Sequence, residues 1–235
     1  MKKQLHLFLI ATTFASLAQL SNAAVFAGTF NFTGATGNVA SLAYNGASIP
    51  DVTIGNLSKV GVTTSASSDN SRATGWPTGA TNASNTFSGT INLSNYFEFT
   101  LTAADGYTID MTSIGFGIGR SGTGPRQWEW RTSIDSYAAT VSTYSALNAG
   151  LSNTGGILTN PDLNSSWTGN VLNLSAAAYK DLTSITFRFY GYNSEASGGT
   201  GGFQGNLSFA GEAIPEPSAA LLGGLGLLAL LRRRR

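Results

Sequence analysis

The sequence contains no cysteine and a single histidine, His6, and only 11% of its residues are charged. The missing cysteines exclude disulfides, thiolate metal sites and thiol nucleophiles, so an exported form must rely on a core large enough to do without staples. His6 lies in an N-terminal segment with the features of a removable leader. Without it the mature chain has no imidazole, which excludes a Ser-His-Asp triad, a Cys-His pair and a His-ligated zinc. Basic residues are also scarce where they would matter. Between Ala24 and Ala213 there are seven Lys or Arg against eleven Asp or Glu, a net charge of −4 that the overall +1 conceals. A mildly acidic domain with no basic stripe has no electrostatic route to nucleic acid. The glycine-rich stretches Gly115–Gly117 and Gly198–Gly202 lack the strand-to-helix setting of a phosphate-binding loop. No fixed-period repeat or linker divides the middle.

Both ends read as processing segments. Lys2 and Lys3 precede an apolar stretch from Leu5 to Ala18, and Ser21 and Ala23 are small residues at −3 and −1 of a cut between Ala23 and Ala24. That order defines a secretory signal peptide over residues 1–23, with a cut after Ala24 as the alternative. At the other end, residues 214–235 combine Pro215–Glu216–Pro217, an apolar run of 13 residues from Ala219 to Leu231, and four arginines, Arg232 to Arg235. At ~1.5 Å per helical residue the run covers roughly 20 Å of a hydrocarbon core of about 30 Å, short for a permanent span. The arginines orient it with the C terminus in the cytoplasm.

Residues 24–213 are rich in Gly, Ser, Thr and Asn and carry short runs of alternating apolar residues. Phe97, Phe99 and Leu101 share one parity against Tyr96, Glu98 and Thr100. Ile185, Phe187 and Phe189 repeat the device. This alternation marks half-buried strands. Further strands are expected at Ser88–Leu93, Tyr107–Ile118, Gln127–Thr132, Ala138–Thr143, Val171–Leu174 and Phe203–Phe209. A short helix is expected at Ser175–Asp181, with Ser175 as its cap. Turn residues between these runs, such as Asp105–Gly106 and Asn160–Pro161–Asp162, complete the pattern. Eight to eleven strands in one domain predict an all-β antiparallel sandwich of jelly-roll type, flanked by a signal helix and a short C-terminal hydrophobic helix.

The three-part tail resembles the PEP-CTERM sorting signal of Gram-negative bacteria, with Pro215, Glu216, Pro217 and Arg232, Arg233, Arg234 and Arg235 as the matching residues. The resemblance implies recognition by an exosortase, cleavage near Pro-Glu-Pro, and association with exopolysaccharide or biofilm. The body is loosely similar to the sandwich domains found ahead of such tails, through Tyr96–Leu101, Arg120–Pro125, Arg131–Asp135 and Phe187–Gly191; that implies fold and not activity.

For chemistry, carboxylates are the remaining catalytic groups, and Glu98, Glu129 and Asp135 are the candidates a glycosidase-like pair would draw on. Trp128 and Trp130 share one face of a strand, and Trp76 sits in the Gly75–Trp76–Pro77 loop. Flat aromatic faces beside polar groups suit sugar rings, so these three are the candidate glycan-binding residues, with Tyr190 and Tyr192 able to flank them. The alternative for Trp128 and Trp130 is the core. No catalytic or metal-binding residue is assigned and no cofactor is expected. A structural Ca²⁺ between loops is compatible with a jelly roll, but no DxDxDG-type loop occurs and no ligands are named.

The expected protein is therefore an exported, non-enzymatic component of the envelope or extracellular matrix. It passes through the secretion machinery, sits transiently in the inner membrane, meets an exosortase-type enzyme and ends at the cell surface with a structural or weak glycan-associated role in exopolysaccharide. A dedicated carbohydrate-binding or adhesive module is the alternative, and a polysaccharide-acting enzyme using paired carboxylates is the second.

Overall fold

The computed structural model describes residues 23–216. The expected signal peptide up to residue 22 and the tail from Pro217 onward, including Arg232–Arg235, lie outside the described residues, and with them the two helices expected at the termini. Among the described residues there are sixteen strands. The first six are β1 (Ala24–Phe30), β2 (Ser41–Leu42), β3 (Val52–Ile54), β4 (Leu57–Val60), β5 (Thr63–Ser65) and β6 (Asn70–Thr74). The long central ones are β7 (Tyr96–Ala103), β8 (Tyr107–Arg120) and β9 (Pro125–Thr132). Short pieces follow at β10 (Tyr144–Ala146), β11 (Ser152–Thr154) and β12 (Ile157–Thr159). The last four are β13 (Ser165–Asn173), β14 (Ser184–Ser194), β15 (Gly201–Gln204) and β16 (Leu207–Pro215).

They form two antiparallel sheets, as the alternating pattern predicts. One runs β1-β16-β8-β15-β6-β5, with β13 also on β8 and β10 on β13. The other runs β11-β12-β9-β14-β7-β4-β2, with β3 beside β7. Facing side chains fill the space between them. Phe97, Phe99 and Leu101, then Ile185, Phe187 and Phe189, are buried on the inner face of the second sheet. In β8 the inward set changes parity, from Ile109 and Met111 to Ile114, Phe116 and Ile118. The register to β16 shifts there, since Ala210 faces Ser113 while Gly211 faces Met111. The extra residue, Thr112, is a bulge that re-phases the strand so both halves keep their apolar side chains inside.

Four local expectations are corrected. Ser88–Leu93 is a loop, because side chains take its backbone donors and those just after it: Gly89 N–H donates to Asn193 Oδ1 and Ser94 N–H to Asn92 Oδ1. Ala138–Thr143 is a loop held by the Asp135 carboxylate, which accepts from the amides of Ala138 and Ala139. Phe203–Phe209 is two strands broken at Gly205–Asn206, where the Asn206 side chain accepts from Phe32 N–H. The helix is a single 3-10 turn, Ala177–Tyr179, capped by Ala176 without a side-chain bond. Among the described residues no helix is long and apolar enough to cross a membrane.

Candidate functional site

The three tryptophans proposed for a sugar platform are core residues, which corrects that expectation. Trp76 is 2% exposed and Trp128 and Trp130 are 0%. β9 presents Trp128 and Trp130 to the core, where Trp128 stacks at 5.0 Å on Phe189 of the neighbouring strand β14 and Trp130 lies 4.6 Å from the same ring. Trp76 meets Trp128 edge-on at 5.4 Å and donates its indole N–H to the Ala73 carbonyl. Trp128 is seated over Gly191, where a Cβ would stand 2.6 Å from its ring. The loop position of Trp76 misled because its chain turns inward, and the shared parity of the β9 pair is equally what a core face requires. Tyr190 and Tyr192 are also buried, on the outer face under neighbouring side chains.

The three candidate carboxylates are held apart in separate structural roles. Glu98 on β7 faces Arg188 on β14 across the sheet and accepts from its Nε at 2.6 Å. That guanidinium lies between the rings of Tyr96 and Tyr137, 4.2 and 3.7 Å from their centroids. Glu129 points away from the core yet is buried, accepting bonds from Arg131, Thr140 and the Tyr192 hydroxyl. Burial, reinforced by the Glu129 charge, pushes the Tyr192 phenol up. Asp135 caps its own loop. Among the described residues no group of three or more His, Cys, Asp or Glu is placed to hold a metal ion.

A different constellation forms where β8 ends and β9 begins. Arg120 and Arg126 are fully buried there. Arg120 Nη1 meets Asp162 at 3.1 Å, and its Nη2 meets Glu195 at 2.8 Å. Arg126 Nη1 lies 3.9 Å from Asp162 and 3.7 Å from Glu195, so two cations balance two carboxylates. Arg126 also donates to the carbonyls of Asn160 and Ser84 and to Asn85 Oδ1. The pair of arginines thereby ties together loops that the strands alone leave separate. Burial pushes the Glu195 carboxyl up, and the neighbouring Asp162 carboxylate adds to this. Burial also raises Asp162, but the Ala83 amide and the neighbouring Glu195 and Arg120 side chains outweigh it and hold Asp162 below its ordinary value. Sequence reasoning missed this cluster. Its only local signals are the Asn160–Pro161–Asp162 turn and the isolated arginines of β8 and β9, and its members come from four separate stretches of chain.

Beside the cluster opens a cleft of about 750 Å³. Phe87, Leu151 and Ile157 give it apolar walls, while Asn85, Gln127 and Asp162 bring polar groups. Arg126 covers Phe87 at 5.4 Å. Gln127 is oriented by accepting from Asn193 Nδ2 at 2.6 Å and donating to Thr159 Oγ1 at 3.3 Å. A half-exposed aromatic beside oriented amides, with charge balanced behind it, is the composition of a small polar-ligand site.

The third feature is the start of the tail. β16 remains paired with β8 through Ile214 opposite Thr108 and Pro215 opposite Tyr107. Glu216 N–H then donates to the Gly106 carbonyl at 2.8 Å. Gly106, with φ +80°, sits in the β7–β8 turn, where Tyr107 N–H closes back on Ala104, and this is the conformation that favours glycine. The first two residues of the Pro-Glu-Pro element are therefore anchored to the folded body.

No curated protein and no solved structure matches the chain. A family profile described as the PEP-CTERM protein-sorting motif matches residues 213–235. The C-terminal segment is thus a PEP-CTERM protein-sorting motif, the mark of an exported protein that an exosortase-type enzyme sorts through a transient membrane anchor.

Proposed function

We propose that this chain is a non-enzymatic protein of the cell surface or extracellular matrix, whose sandwich associates with exopolysaccharide through the cleft beside Arg126. The sorting motif supports export and processing, and the cleft supports the glycan role. Phe87 offers an apolar face for sugar C–H groups. Asn85 uses its side-chain oxygen on Arg126, which leaves its amide hydrogens for hydroxyls. The charge balance behind the cleft favours a neutral sugar over a charged one.

The enzymatic alternative has less to stand on. The carboxylates that come together, Asp162 and Glu195, are both bound to the buried guanidinium of Arg120, which holds them as ion-pair partners. Glycosidase pairs stand ~5–10 Å apart, flanking the bond they cleave.

Pull-down of the purified domain on the producing cell's own polysaccharide tests the binding role. Phe87→Ala and Asn85→Ala should each weaken retention several-fold without unfolding the domain. Retention unchanged in both would remove the cleft from the proposal. Fractionating cells with and without an exosortase tests the sorting role, and identical size and location in the two strains would refute it.

A further inference from the structure

The chain enters the fold and leaves it at one corner. Ala24, the first residue of β1, lies opposite Ala213 on β16, and β16 continues to Pro215 against the start of β8. The β7–β8 turn closes the same corner by accepting the Glu216 amide. Only Pro217 and Ser218 separate Glu216 from the apolar run that begins at Ala219. Three extended steps cover about 10 Å at most. While the tail is in the membrane, this corner is held close to the bilayer surface.

Peptidases that read extended segments do so largely through main-chain hydrogen bonds, in the manner of an added strand. For Ile214 to Glu216 those groups are already engaged by β8 and by Gly106. Their removal from the sheet would free a further three residues of extended chain, roughly doubling the reach between membrane and fold. The proline at Pro215 eases this, since it has no amide donor to contribute to the ladder.

We propose that the last residues of β16, Ile214 to Glu216, must detach from β8 before the processing enzyme can act, so that the folded body itself gates access to its sorting motif. The partner is a membrane-embedded peptidase or transpeptidase that meets the corner formed by Ala24, the Asp105–Gly106 turn and the end of β16. The inference rests on the reading that the tail is processed.

The absence of cysteine makes a direct test available. Thr108 and Ile214 face each other across adjacent strands, and opposed antiparallel residues lie within disulfide range. The full-length precursor carrying Thr108→Cys and Ile214→Cys is incubated, oxidised or reduced, with membranes containing the processing enzyme. Conversion to the shorter form is then followed by immunoblot. The oxidised form should be processed at least ~10-fold more slowly than the same protein after reduction. Reduction alters only the cross-link, so a steric effect of the substitutions cancels. A second variant, with Gly-Gly-Ser inserted between Ala213 and Ile214, should be processed at least as fast as the wild type and stands on its own if the cysteine pair fails to fold. Equal rates for oxidised and reduced forms, or slower processing of the insertion variant, would overturn the gate. A wild-type precursor left intact by the same membranes would instead remove the tail reading, and the gate with it.

Discussion

Phe189→Ala measures whether the core is organised as described. Phe189 is fully buried and lies at the centre of an aromatic cluster, 5.0 Å from Trp128, 4.6 Å from Trp130, 5.0 Å from Phe203 and 5.6 Å from Phe116. Truncation removes a ring that both sheets pack against, and β14 is paired on both sides, so the backbone has little freedom to close the gap. Such a replacement costs about 3–5 kcal/mol. Against a stability of about 5–15 kcal/mol that is a large fraction, and for a domain of this size it lowers Tm by about 6–20 °C. Urea unfolding followed by tryptophan fluorescence is the natural assay, because Trp76, Trp128, Trp130 and Trp167 are all buried and report loss of the core. A parallel Phe87→Ala variant should stay within about 1 kcal/mol of wild type, since that ring is half-buried at a cleft wall. A Phe189→Ala loss under about 1 kcal/mol would refute the packing argument.

Three further outcomes are expected. Gly191→Ala places a Cβ 2.6 Å from the Trp128 ring and should cost about 1–3 kcal/mol by overpacking, read from the same urea midpoint. Glu195 holds its proton more tightly in the fold than in the unfolded chain, so its contribution is full below the ordinary value of 4.5 and is lost as pH rises through the raised folded value. Glu195→Gln should flatten that decline in a series of midpoints between about pH 4 and 7, and an unchanged slope would show that Glu195 is not its source. Intact mass of secreted material should place the mature N terminus at Ala24 or Val25; retention of His6 would reject the signal-peptide assignment.

The sheets were legible because alternation is a direct imprint of burial. Phe97, Phe99 and Leu101 take the same face in the structure that their spacing gives them in the sequence. Where one strand changes face the imprint blurs: β8 reads as one long apolar strand, and its bulge at Thr112 appears only once β16 is laid beside it. Short strands such as β3, β4 and β6 carry too few residues to declare a period. The tryptophans show the limit for function. Parity places Trp128 and Trp130 on one face, but it cannot tell an inner face from an outer one. The cleft was illegible for a related reason, since Asn85, Gln127, Ile157 and Asp162 are brought together by tertiary structure. The tail was legible because its three parts are contiguous.

The cleft and the start of the sorting motif lie at opposite ends of β8. Tyr107, at its start, faces Pro215, while Arg120, at its end, holds Asp162 and Glu195 beside the cleft. Thirteen residue steps at ~3.3 Å make the separation roughly 40 Å. Ligand binding and processing therefore have no shared residue through which to compete, and the barrier between them is a packed, doubly paired strand. Phe87→Ala should weaken polysaccharide retention while leaving the rate of tail processing within twofold of wild type. Cross-linking Thr108→Cys to Ile214→Cys should arrest processing while leaving retention unchanged. Measuring both readouts on both variants separates the two ends, and loss of retention on cross-linking the far corner would mean that β8 transmits strain along its length and that the two functions are coupled.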